Sequence, residues 1–259
     1  MEKIIDTHAH YYHGKFNSYR DELMVDMQKD VSAIINIGTN MNSNRKVLNM
    51  LNQYDYLYCM IGFFPNDVME LSDKKNRDFF EKHILDEKVV GIGEIGLDYH
   101  WDALPHDVQE KWFRYQLELA IKNDLPVSIH SRDAEEDTYR ILSDYTGQLK
   151  GVIHCYSYGV ESAKKYLKMG LYFGVGGTST YKGNKEIVDV LKTIPMKNIL
   201  LETDAPYLSP APVRRETNDS RNIIYVAENL TKIKGLKIED VLRINKENVN
   251  RLFGIWGVE

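Results

Sequence analysis

Ile4-Ile5-Asp6-Thr7-His8-Ala9-His10 is the stretch whose reading decides the fold. A short apolar run with β-branched residues predicts a buried strand, and two imidazoles stand at its end. Side chains two apart on a strand share a face, so His8 and His10 aim at one point. Two neutral imidazoles held that way can chelate a metal. By itself the pair is a weak signal, because eight histidines placed at random in 259 residues give such a pair roughly one time in four. Its weight comes from similar runs further along the chain, each ending near a metal-competent side chain.

Those runs predict strands over residues 4–7, 33–37, 56–61, 89–95, 126–130, 151–155, 171–175 and 198–202. Stretches with helical spacing and Lys/Glu-rich faces lie between them, among them 108–122, 134–144, 160–168 and 185–193. Short buried strands alternating with amphipathic helices imply right-handed crossovers and a parallel sheet. Eight such units in this length match a (β/α)8 TIM barrel, followed by a C-terminal closing helix over 238–253. The whole of 1–259 is expected to form one domain. Gly91-Ile92-Gly93-Glu94-Ile95-Gly96 formally fits a dinucleotide-binding glycine loop. Glu94 would stand where phosphates must approach, so that reading is set aside.

With 43% hydrophobic residues the chain can build a large core. No stretch approaches the roughly 20 apolar residues of a membrane span, and the N-terminus lacks a secretory pattern, so a cytoplasmic location is expected. Cys59 and Cys155 are then expected to be reduced core thiols. A net charge of −5 argues against a broad basic surface that coats nucleic acid. Nucleic acid stays open as a substrate, since bound cations can supply positive charge locally. No obligatory protein partner is evident.

The metal-competent residues fall near the C-terminal ends of different predicted strands. His8 and His10 follow the first, Glu94 the fourth, His130 the fifth, His154 the sixth and Asp204 the eighth. In a barrel these ends meet on one rim, where enzymes of this fold place their sites. Four imidazoles and two carboxylates converging there would be costly without a cation to satisfy them. Six donors exceed what one tetrahedral zinc takes, which points to two divalent ions about 3.5–4 Å apart sharing an acidified water. Asp204 could bind one ion and accept the water's proton. The expected chemistry is hydrolysis. Zinc, manganese, iron or nickel suits four imidazoles better than magnesium does.

Five ordered motifs carry a family resemblance. Asp6-Thr7-His8-Ala9-His10, Gly93-Glu94-Ile95-Gly96-Leu97-Asp98-Tyr99, Ile129-His130-Ser131-Arg132, His154-Cys155-Tyr156-Ser157 and Glu202-Thr203-Asp204-Ala205-Pro206-Tyr207-Leu208 resemble the signatures of the TatD family of metal-dependent hydrolases. The resemblance implies an amidohydrolase-superfamily barrel with deoxyribonuclease or related phosphodiesterase activity on DNA or nucleotides. It also implies that His8, His10, Glu94 and Asp204 hold one metal and Glu94, His130 and His154 the second, with Glu94 and Asp204 the catalytic carboxylates. Glu94 stands where many relatives in the superfamily carry a carboxylated lysine. Two positions depart from the family pattern. Phe64, in Gly62-Phe63-Phe64-Pro65, replaces a rim histidine, and Tyr158 replaces a glycine after Ser157. Both changes bear on substrate preference and leave the donors intact.

Arg132, Lys182, Arg214, Arg215 and Arg221 are candidate phosphate contacts, since guanidinium groups suit bidentate contacts to phosphate and the proline-rich loop over 206–221 is expected to overhang the site. Tyr99, Trp101, Tyr156, Tyr158, Tyr181 and Tyr207 follow strand ends and could stack on bases. Two other functions share this framework: hydrolysis of an acyl ester or amide such as a D-aminoacyl-tRNA ester, and a metal-loaded scaffold with little catalysis, suggested by Phe64.

Overall fold

The structure, a computed structural model, describes residues 2–101 and 103–255. Eight strands pair in parallel and in chain order: β1 (Ile4–Ala9), β2 (Val31–Ile37), β3 (Leu57–Ile61), β4 (Val89–Asp98), β5 (Val127–Arg132), β6 (Gly151–Ile153), β7 (Tyr172–Val175) and β8 (Ile199–Leu201). Just past β8 the chain returns to β1 through a parallel bridge between Ala9 and Ala205. His10 N–H donates to the Ala205 carbonyl at 2.7 Å and Asp204 N–H to the His8 carbonyl at 2.9 Å. These bonds close the predicted barrel.

Helices α1 (Arg20–Met27), α2 (Met41–Met50), α3 (Lys74–His83), α4 (His106–Lys122), α5 (Glu135–Ser143), α6 (Val160–Lys168), α7 (Lys185–Thr193) and α8 (Ile223–Lys234) surround the sheet, and α9 (Ile238–Phe253) follows. Their starts obey local chemistry. Asn40 accepts from Ser43 N–H while the Ser43 hydroxyl accepts from Asn40 N–H, a reciprocal cap that begins α2. The closing helix has a clear task. Val249, Leu252 and Phe253 on α9 pack with Ile5, Ala33, Ile35, Val152 and Leu200. Asn245 also accepts from Leu201 N–H and donates to the Ile5 carbonyl, which ties β8 to β1.

The element types agree with the sequence pattern, but several strand ends do not. β4 runs on to Asp98 because Gly96, Leu97 and Asp98 pair with His130, Ser131 and Arg132. Glu94 and His130 therefore lie inside strands. The approach is close: a Cβ on Gly96, whose φ is +143°, would sit 1.9 Å from the His130 carbonyl oxygen, so only glycine fits. β6 and β8 stop early, which leaves His154, Cys155 and Glu202 on the turns beyond them. The glycine run 91–96 is buried within β4, and no phosphate loop forms there. Among the described residues, no helix is long and apolar enough to cross a membrane.

Candidate metal centre

The six predicted donors converge at one mouth of the barrel. His8 Nε2 lies 3.3 Å from His10 Nε2. Glu94 Oε2 lies 3.5 Å from the first and 3.7 Å from the second. Asp204 Oδ1 is 3.1 Å from His10 Nε2 and 3.9 Å from both His8 Nε2 and His154 Nε2. The other Glu94 oxygen, Oε1, meets His130 Nδ1 at 2.9 Å. The carboxylate thus divides its two oxygens between the β1 histidines and His130. Three overlapping groups of metal-binding size result among the described residues: His8, His10 and Asp204; Glu94, His130 and His154; and His8, His154 and Glu202.

Three of the four imidazoles are hydrogen-bonded from behind, and the fourth has a carboxylate close to it. His10 Nδ1 donates to the Ile37 carbonyl at 2.8 Å, which forces a lone pair onto Nε2 when the ring is neutral. His8 Nδ1 meets the Ser128 hydroxyl at 3.1 Å. His130 Nε2 meets Asp98 Oδ2 at 2.9 Å. His154 Nδ1 lies 3.0 Å from Glu202 Oε1, too poorly aligned for a hydrogen bond, and both that nitrogen and Glu202 Oε2 are buried without a hydrogen-bond partner. Glu202 is wedged against Gly174, where a Cβ would come within 2.3 Å of its carboxylate, and it accepts from Cys155 N–H at 2.6 Å. These outer partners orient donors and raise the basicity of the rings.

Electrostatics agrees with the geometry. Burial alone would push the Glu94 carboxyl up, but hydrogen bonds from His130 and His8 together with the charge of His130 hold it well below the usual range. Asp204 is likewise pulled down against its burial by the hydrogen bond from His10 and the charge of His154. Burial and the neighbouring His154 lower His8. Burial would lower His154 too, but the Glu202 carboxylate outweighs it and lifts the ring to about 10. His130 is raised against its burial by Asp98 and Glu94, and His10 by Asp204. Without cations, protons hold these anions together, and a neutral His10 would aim its lone pair at two carboxylates and another ring nitrogen. The donor set fits divalent cations.

The cluster forms the floor of a cavity of about 820 Å³ whose walls include Phe64, Trp101, Tyr181 and Tyr207. A larger hollow of about 1010 Å³ lies on the flank between α1 and the loop after β8, with none of the six donors in its lining. Residues 5–254 match the family profile described as TatD related DNase. The chain belongs to the TatD-related DNase family. The metal-dependent hydrolase YabD of Bacillus subtilis, whose function is uncharacterized, is 35% identical over 254 residues, which cover 97% of this TatD chain and 99% of that protein. YcfH of Escherichia coli, described in the same words, is 28% identical over 97% of this chain and 96% of its own. The crystal structure of YJJV, a TatD homolog from Escherichia coli, superposes with a TM-score of 0.90 at 27% identity, covering 97% of this chain and 98% of that one. This TatD-family protein is a metal-dependent hydrolase.

The substrate-contact expectations fare unevenly. Arg132 and Tyr207 are exposed and line the cavity, and Arg214 is exposed beside it, over the Tyr181 ring. Tyr156 lines the wall, but its ring is buried against Phe173 and its hydroxyl donates to the Gly159 carbonyl, so it is no free stacking platform. Tyr99 is similarly taken up, stacked on His106 and bonded to Asp137. Arg221 is held by Asp26 and Asp219 in the flank hollow, away from the site. Cys59 is a buried free thiol as expected, whereas Cys155 is half-buried and borders the cavity. Phe64 packs 4.6 Å from His130, centroid to centroid, and makes that wall apolar. Sequence reasoning assigned no role to Asp98, Glu202 or Ser128. Asp98 and Glu202 sit inside quoted motifs, four residues after Glu94 and two before Asp204, and that proximity was their only signal.

Proposed function

We propose that this TatD-family hydrolase cleaves phosphodiester bonds of DNA or oligonucleotides with two divalent cations. The division of the Glu94 carboxylate between two imidazole sets carries the two-cation reading, because a bridging carboxylate is what a paired-cation site needs, and membership of a family described as TatD related DNase supports DNA as the substrate. His8, His10, Glu94 and Asp204 would hold one cation, and Glu94, His130 and His154 the other. Cations bound there would acidify a water and offset charge on the scissile phosphate. The protein's own groups supply the rest. Asp204, ionised and reaching the cavity, would accept the proton released from the attacking water on its carboxylate. Asp98, Ser128 and the Ile37 carbonyl keep His130, His8 and His10 in one orientation, so the donors need no rearrangement. Arg132 at the rim is placed to meet a substrate phosphate.

The test is elemental analysis of the purified protein, followed by assays on DNA oligomers and on D-aminoacyl-tRNA with zinc, manganese, iron, nickel or magnesium restored in turn. Metal-dependent cleavage of DNA is the expected result. Cleavage of the acyl ester alone would move the protein to the ester-hydrolase reading, and no turnover with any metal would favour the scaffold.

A further inference from the structure

We infer that the mouth of the barrel binds a nucleic-acid strand along one diameter, gripping it on both sides of the scissile bond through three cation–aromatic pairs. The inference rests on the phosphodiesterase reading and adds the path and minimum length of the substrate. Arg132 lies over Trp101 with its guanidinium carbon 5.6 Å from the ring centroid. Arg214 lies over Tyr181 at 3.7 Å and Lys15 over Tyr207 at 5.0 Å. All three aromatics line the cavity that holds the donor cluster. All three cations are exposed, and among the described residues none has a carboxylate oxygen within 4.0 Å.

Topology sets where these pairs stand. Trp101 follows β4 and Arg132 ends β5, whereas Tyr181 follows β7, Tyr207 and Arg214 follow β8, and Lys15 follows β1. In a closed sheet of eight strands in sequential order, β4 and β5 face β8 and β1 across the mouth. A ligand that reaches both arcs must therefore pass over Glu94 and Asp204. Cations that lie over rings and have no carboxylate partner among the described residues suit a strand of bases and phosphates, each cation offering a phosphate contact and each ring the face or edge its cation leaves open. The same cations, set against a chain of net charge −5, would draw the strand to this mouth and to no broad surface.

The experiment uses the manganese-loaded protein. Hydrolysis of bis(p-nitrophenyl) phosphate reports on phosphodiester chemistry alone. Turnover of dT2, dT4 and dT12 reports on the track, and kcat/KM is expected to rise at least about tenfold from dT2 to dT12 as the second arc is reached. Binding of fluorescein-labelled phosphorothioate dT12, followed by anisotropy, should fall with salt at a log–log slope of about −2, roughly 0.7 for each of three phosphates. Lys15→Gln, Arg132→Gln and Arg214→Gln should each lower the slope by about 0.7. Equal kcat/KM for dT2 and dT12, or slopes unmoved by all three substitutions, would overturn the track while hydrolysis of the small diester upholds the phosphodiesterase reading. Failure to hydrolyse any of these diesters would remove that reading and the track with it.

Discussion

On the β1 side of the cluster the outer imidazole nitrogens meet neutral partners, the Ser128 hydroxyl for His8 and the Ile37 carbonyl for His10. On the β5 and β6 side a buried carboxylate stands behind each ring, Asp98 for His130 and Glu202 for His154. The contrast shows how one rim can hold two unlike sets. A carboxylate makes its imidazole more basic, hence a stronger donor to a cation but also a tighter holder of a proton. The β1 side, where His8 is lowered, should fill first at neutral pH, although His10 must also give up a proton, and the other side only as protons on both its rings are displaced.

The largest effect is expected where the two sides meet. Glu94→Ala removes the carboxylate both sets share and should lower metal-dependent turnover by roughly a thousandfold or more while circular dichroism keeps the barrel signature. Turnover near wild type would dissolve the distinction between the sides altogether. Next comes the contrast itself. Asp98→Asn and Glu202→Gln should each weaken the second step of a calorimetric manganese titration by about 10–100-fold. Ser128→Ala should shift the first step by less than about tenfold and leave the second unmoved, since it loses one neutral hydrogen bond. Equal losses in both steps for all three variants would show that the backing chemistry does not divide the rim.

The contrast also bears on stability against pH in chelator-treated protein. His154 has an ordinary value of 6.5 and stands at about 10 in the fold. Its contribution is complete below 6.5 and is lost as pH climbs toward 10, because the folded state holds a proton that the unfolded chain releases. Melting temperatures of the metal-free protein should therefore fall across that window, and Glu202→Gln should flatten the decline. A metal-free protein that grows more stable from pH 7 to 10 would contradict the pairing.

The convergence of the six side chains was legible in the sequence because each follows a β-branched run, and a parallel barrel sends all such ends to one rim. Strand limits were less so. Glu94 reads as a strand end from its own neighbours, and only pairing with His130, Ser131 and Arg132 carries β4 onward to Asp98. The carboxylates behind the imidazoles had no periodic mark, since a buried acid is recognised by its partner and not by its spacing. Tyr156 shows the same limit in reverse. Its position after a strand end promised an exposed ring, and packing against Phe173 withdrew it. Arg221 looked free until Asp26, 195 positions earlier, was brought beside it.

The bridge between Ala9 and Ala205 has a mechanical consequence. His8 and His10 flank one side of that join and Asp204 the other, and Asp6 accepts from Thr203 across it, 197 positions away in the chain. A cation held by these donors would work as a removable rivet, fastening the first strand to the last and enclosing the chain from β1 through β8 in one loop. Stripping it should let the join breathe first, so that the amides of His10 and Asp204 exchange with solvent before those of the opposite wall.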